Sequence, residues 1–134
     1  MFTFKNISAV AFFLFGTTFV WMTASFAGKT PVPSGALWTV VNVLALLAVA
    51  AFTVTAWGVF KQTSWWEMTA VASAALGLIV VVPYVAAIND EGQLSDGGVA
   101  LNIVLHLVCS LIVLAVALVP VIHDWFTHRW ALSA

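Results

Sequence analysis

The stretch Val99–Ile122, VALNIVLHLVCSLIVLAVALVPVI, decides the class of this protein. It holds no Asp, Glu, Lys or Arg and exceeds the roughly 20 apolar residues that carry a helix across bilayer hydrocarbon. No water is available there to take up a backbone hydrogen bond, so the chain must satisfy its own and an α-helix results. Three further segments have the same character, at about Ile7–Ala27, Leu37–Phe60 and Met68–Ile88. None alternates with period two, which argues against a transmembrane barrel. Of the 134 residues, 63% are hydrophobic and only 7% charged, with a mean hydropathy of +1.12. A soluble domain is about one quarter charged.

The connections between spans are short and punctuated by turn formers: Pro31, Pro33 and Gly35 in the first, Gly92, Gly97 and Gly98 in the third. Short connections make neighbouring spans antiparallel. The expected fold is therefore all-α, a transmembrane four-helix up-down-up-down bundle forming one integral membrane domain over residues 1–134. Lys5 ahead of an apolar run, with Ser25-Phe26-Ala27 after it, imitates a signal peptide, but the run is longer than a 7–15-residue h-region and reads as a span. Lys5, Lys61 and Arg129 fall on one side and Lys29 on the other, which predicts both termini inside, N-in and C-in. Trp38 suits the outer interface, and Trp65, Trp66, Trp125 and Trp130 the inner one. A formal net charge of −1 gives no reason to expect nucleic acid as a partner.

Within the spans, information concentrates in polar side chains, because each must find a partner or a function. On the fourth span Asn102, His106, Cys109 and Ser110 share one helical face. At similar depth stand Asn42 on the second span, Tyr84 on the third, and Thr17, Thr18 and Thr23 on the first. Phase and depth together predict an outward-opening polar pocket built from Asn42, Tyr84, Asn102 and His106, with His106 as the candidate general base if the site is catalytic. For Asn42 and Asn102 simple interhelical hydrogen bonding is the favoured explanation, while for His106 the two readings are evenly matched. Cys109 reads as a small hydrophobe. Thr69, Ser73 and Gly77 recur at spacing four on the third span and predict close helix packing, against another span or a second copy. Pro83 is expected to kink that helix or end its regular bonding.

Several chemistries lack their residues. A bis-histidine haem needs a second intramembrane His level with His106, and Met22 is the only other axial candidate. There is no CxxC for thiol exchange and no HExxH for a metalloprotease. His123, Asp124 and His128 at the end of the fourth span supply too few ligands for a metal. The expectation is thus no cofactor and no metal.

Trp66-x-x-Thr69, Ser73 and Pro83 on the third span, with Leu105-His106-Leu107-Val108 and Pro120 on the fourth, resemble uncharacterised small four-helix membrane proteins common in actinobacteria. The resemblance covers the last three spans. It implies a bacterial cytoplasmic (inner) membrane protein and supplies no activity. Three function classes follow. The first, and the one expected, is an accessory or assembly subunit of a membrane complex, or a homo-oligomer, suggested by the small mass outside the bilayer and the Ser73–Gly77 face. The second is a binding or transport protein for a small apolar ligand. The third is an enzyme using His106.

Overall fold

A computed structural model describes residues 2–133, and the side chains as far as Trp130. It contains five α-helices: α1 (Phe4–Thr17), α2 (Ala36–Lys61), α3 (Trp66–Asp90), α4 (Gly97–Leu118) and α5 (Pro120–Ser133). Among the described residues there is no strand. Four segments are long and apolar enough to cross a membrane, at Phe4–Met22, Ala36–Lys61, Trp66–Asp90 and Gly97–Leu118. The second and third agree closely with expectation, and the first and fourth differ from it for local reasons.

The first span is regular only as far as Thr17. It tightens into 3-10 turns over Thr18–Met22, breaks at Thr23 in an extended conformation, and makes one more 3-10 turn over Ala24–Phe26. Threonines explain where this happens. Thr17, Thr18 and Thr23 each donate a hydroxyl hydrogen bond to the carbonyl three residues back, at 2.6–2.7 Å, and such back-bonding competes with the α-helical ladder. The span expected at Ile7–Ala27 is therefore a helix followed by an unwound stretch. The fourth span stops at Leu118 because Pro120 follows. Val119 takes extended dihedrals (φ −86°, ψ 113°), as the residue before a proline prefers, and Pro120 opens α5. By contrast, Pro83 lies inside α3, which continues past it to Asp90.

Consecutive helices pack on one another, α1 on α2, α2 on α3 and α3 on α4. The centre belongs to α3: 44% of its most apolar window is buried, against 17% for α4. Gly16 lets α1 approach α2 so closely that a Cβ there would collide with that of Phe52. Gly77 does the same for α3, where a Cβ would lie 2.5 Å from Ser110 Oγ and 2.8 Å from Phe19 Cζ. Ser73 is fully buried and bonds Thr55 of α2, hydroxyl to hydroxyl, at 2.9 Å. Ser73 and Gly77 are thus engaged with other helices of this same chain.

Each end of the bundle is fastened differently. At one end Trp66, Phe126 and Trp130 form an aromatic cluster with centroids 5.0–5.6 Å apart, and Phe4 meets Phe126 edge-on at 5.4 Å. These contacts fold α5 back onto the starts of α1 and α3. Trp66 and Trp130 are buried, so they serve as core rather than as the lipid anchors the sequence suggests. At the opposite, acidic end Glu91 receives the Lys29 ammonium (3.3 Å to Oε2) and, at 3.4 Å, the indole N–H of Trp38.

Candidate functional site

The unwound stretch after Thr17, which begins inside the first candidate span and continues past its end at Met22, leaves backbone groups without helical partners. Such backbone is tolerated in a membrane only where protein satisfies it or where it borders a water-filled cavity. Here the polar side chains of other elements do the satisfying. Asn42 of α2 accepts the Ala24 N–H at 2.9 Å, and Asn102 of α4 donates to the Trp21 carbonyl at 3.3 Å. Gln93, in the connection after α3, donates to the Ala27 carbonyl at 3.0 Å.

His106 meets the same stretch where it begins. Its Nδ1 lies 2.7 Å from the Asn102 carbonyl, which can only accept, so Nδ1 carries the proton. Nε2 of the neutral ring is then the acceptor for the Thr18 hydroxyl at 3.0 Å. That hydroxyl also lies 2.6 Å from the Phe15 carbonyl and divides its single proton between the two. The ring is fully buried, with Phe19 packed edge-on at 4.4 Å and Phe15 at 5.9 Å. Both nitrogens are used, and both partners are neutral. His106 thus joins α4 to the point where α1 unwinds.

Beside this joint a pocket of about 490 Å³ opens at the acidic end. Its walls include Trp21 and Phe26 of the unwound stretch, Tyr84 of α3, Gln93 and Asp96 of the following connection, and Asn102 of α4. Asn102 donates to the Tyr84 hydroxyl at 3.1 Å, so the two predicted residues meet here. Asn42 and His106 do not line the pocket and lie behind the unwound stretch that forms its wall. Two amide oxygens, Gln93 Oε1 and Asn102 Oδ1, are buried with no hydrogen-bond donor. A buried polar group left unpaired costs about 1–3 kcal/mol. Asp96 caps α4 by accepting from Gly98 N at 2.7 Å and Val99 N at 3.4 Å, which brings its carboxylate to the rim.

Sequence reasoning placed Thr18, Tyr84, Asn102 and His106 at one depth, and the structure joins them through the hydrogen bonds above. It missed Gln93, which lies in a connection rather than a span, and Trp21 and Phe26, whose apolar character is ordinary for lipid-facing positions. Break of the first span was readable in the recurrence of threonine at 17, 18 and 23. Among the described residues no group of three or more His, Cys, Asp or Glu is placed to hold a metal ion. Comparison with known protein families, with curated proteins and with solved structures finds no match.

Proposed function

We propose that this four-span membrane protein binds a small, largely apolar ligand in the pocket at its acidic end. The observation that carries this reading is the broken first span. Its irregular backbone, held by Asn42, Gln93 and Asn102, walls a cavity that is also lined by the polar side chains of Tyr84, Gln93, Asp96 and Asn102. Discontinuous membrane helices are the places where membrane proteins build binding sites. Asn102 and Tyr84 form the polar wall; Asn42 and His106 act at one remove, by holding the unwound stretch in place. The charge distribution of the sequence turns this end away from the cytoplasm, in keeping with a bacterial cytoplasmic membrane and with N-in, C-in topology.

A second reading is an accessory subunit or a homo-oligomer, and one observation favours it: α4 is the least covered span and exposes Leu101, Val104, Val108 and Leu111 along its length. Thr69, Ser73 and Gly77 lend it less support, since Ser73 and Gly77 already pack within the chain. Native mass spectrometry of the protein released gently from its own membrane separates the two. A single chain carrying a small-molecule adduct, lost in Gln93→Leu, is the expected result. A mass explained by other polypeptides, or by several copies with no adduct, overturns the binding reading in favour of the subunit reading.

A further inference from the structure

At the end opposite the pocket, Lys5, Lys61 and Arg129 all lie over aromatic rings. The Lys5 and Lys61 ammonium groups stand 5.4 and 5.6 Å from the centroid of one and the same ring, Phe60, and Lys61 is also 5.0 Å from that of Trp57. Arg129 is 5.2 Å from Trp125. Trp57, Phe60 and Trp125 are themselves exposed. The acidic side chains of this end, Glu67 and Asp124, both engage His123. Lys29, at the other end, is instead paired with Glu91. A ring face attracts an ammonium group from one side only and leaves it donors for a further acceptor. Trp57 and Phe60 have a second role, as walls of an apolar groove of about 410 Å³ between α1 and α2. Ala9, Val10 and Phe13 line it on α1, and Ala56, Trp57 and Phe60 on α2. Ala9 and Ala56 are buried and form a floor, while the four larger residues are exposed and stand at its sides. The two rings that carry the lysines thus also line the groove, and Lys5 and Lys61 follow directly on its walls at the ends of both spans.

We propose that this groove seats one anionic phospholipid, its phosphate on Lys5 and Lys61 and one acyl chain between α1 and α2. The assignment is independent of the pocket at the acidic end, with which the groove shares no lining residue. Charge selects the occupant. Any lipid offers a chain to an apolar groove, but two ammonium groups over one ring favour a headgroup of net negative charge over a zwitterionic one, whose own cation they repel. A phosphate supplies acceptors only, and the lysines supply donors only. The lysine stems keep to apolar surface while their heads reach the interface, the usual behaviour of this side chain at a membrane boundary. Length fits as well. From Asn6 to Phe13 the α1 wall runs about 10 Å at 1.5 Å per residue, and the hydrocarbon of one leaflet is about 15 Å deep.

The test uses the full chain in mild detergent with equal amounts of dioleoyl phosphatidylglycerol and dioleoyl phosphatidylcholine, and native mass spectrometry of the first lipid bound. A lysine near an anionic lipid contributes about fivefold, so a preference of at least about tenfold for phosphatidylglycerol is expected. Lys61→Gln should lower that preference about fivefold, and Lys61→Arg should keep it. The double change Lys5→Gln with Lys61→Gln should abolish it. Arg129→Gln, on the third cation of this end, should leave it unaltered. Thr53→Trp, at an exposed position of the groove wall, should lower the occupancy of both lipids several-fold. Phosphatidylglycerol with a photoreactive acyl chain should label α1 between Asn6 and Phe13 and α2 between Thr53 and Phe60. Equal binding of the two lipids overturns the charge assignment. A preference that survives the double lysine change and falls with Arg129→Gln moves the headgroup to α5 and overturns the site. Labelling of every span alike, or full binding in Thr53→Trp, overturns the groove.

Discussion

Between Thr18 and His106, counting protons explains how a histidine is accommodated uncharged in the core of the bundle. One ring nitrogen donates to a carbonyl of its own helix and the other takes the hydroxyl of another span, so the ring is spent on joining two elements. Side-chain hydrogen bonds between membrane helices are worth on average about 0.6 kcal/mol and at most about 1.7. A double-mutant cycle of Thr18→Val and His106→Phe should therefore show a coupling of about 0.5–1.7 kcal/mol in unfolding free energy, with strict additivity as the contrary outcome. Gly77 invites a larger effect, because any side chain must displace Phe19 or Ser110. Gly77→Leu should cost at least the roughly 1–3 kcal/mol typical of overpacking, read as a fall in thermal midpoint in detergent. His106 and Gly77 could be picked out in the sequence as a polar group and a small residue on buried faces. Of their partners, Thr18 was legible only as one of three threonines at the depth of His106, and Phe19 not at all, since it does not differ from its neighbours until the first span is seen to turn.

α5 is the element whose attachment depends on a titrating group. His123 Nε2 lies 2.9 Å from Glu67 Oε1, and the ring stacks on Trp66 at 6.0 Å with 3° between planes. The Glu67 carboxylate, helped by Asp124 at 3.5 Å from Nδ1, holds the His123 pKa above the ordinary imidazole value. A pKa raised by folding means that the charged form is the stabilised one. The contribution of this pair is complete below about pH 6.5, the unfolded value, and is lost as pH rises through the elevated folded value. Protection of the α5 amides, measured against their intrinsic base-catalysed exchange rate at each pH, should fall over that interval and become independent of pH in Glu67→Gln. No change with pH in the native chain would show that the aromatic cluster holds α5 unaided. Of the elements, α2 and α3 were the most legible in the sequence, because unbroken apolar runs have only one solution in hydrocarbon. α5 was hidden by the apolar residues Val119, Val121 and Ile122, which continue the pattern of α4 across a break that Pro120 imposes on the backbone.

For the molecule as a whole, the fold class followed from composition alone, while the pocket required three dimensions. Four polar residues at a common depth point towards the acidic end. What phase and depth could not reveal is that Asn42 and His106 face the unwound stretch and only Tyr84 and Asn102 face the cavity. That distinction depends on the path of the unwound stretch, which Asn42 holds at Ala24 and His106 at Thr18, and helical phase along α2 and α4 does not contain that path. Orientation remains a prediction with a direct measurement. In a Cys109→Ser background, Ser95→Cys should react with a membrane-impermeant maleimide in intact cells and Ser64→Cys only after lysis. The reverse pattern would place the pocket on the cytoplasmic side. The fastening of the first span has one more consequence, for biosynthesis. The donors and acceptors that its unwound backbone requires come from α2, from the connection after α3 and from α4, which are synthesised later. The earliest of these four spans to be synthesised thus depends on the latest for its final shape. Until α4 has entered the membrane, the first span is unfinished and its unwound backbone carries unmet peptide groups.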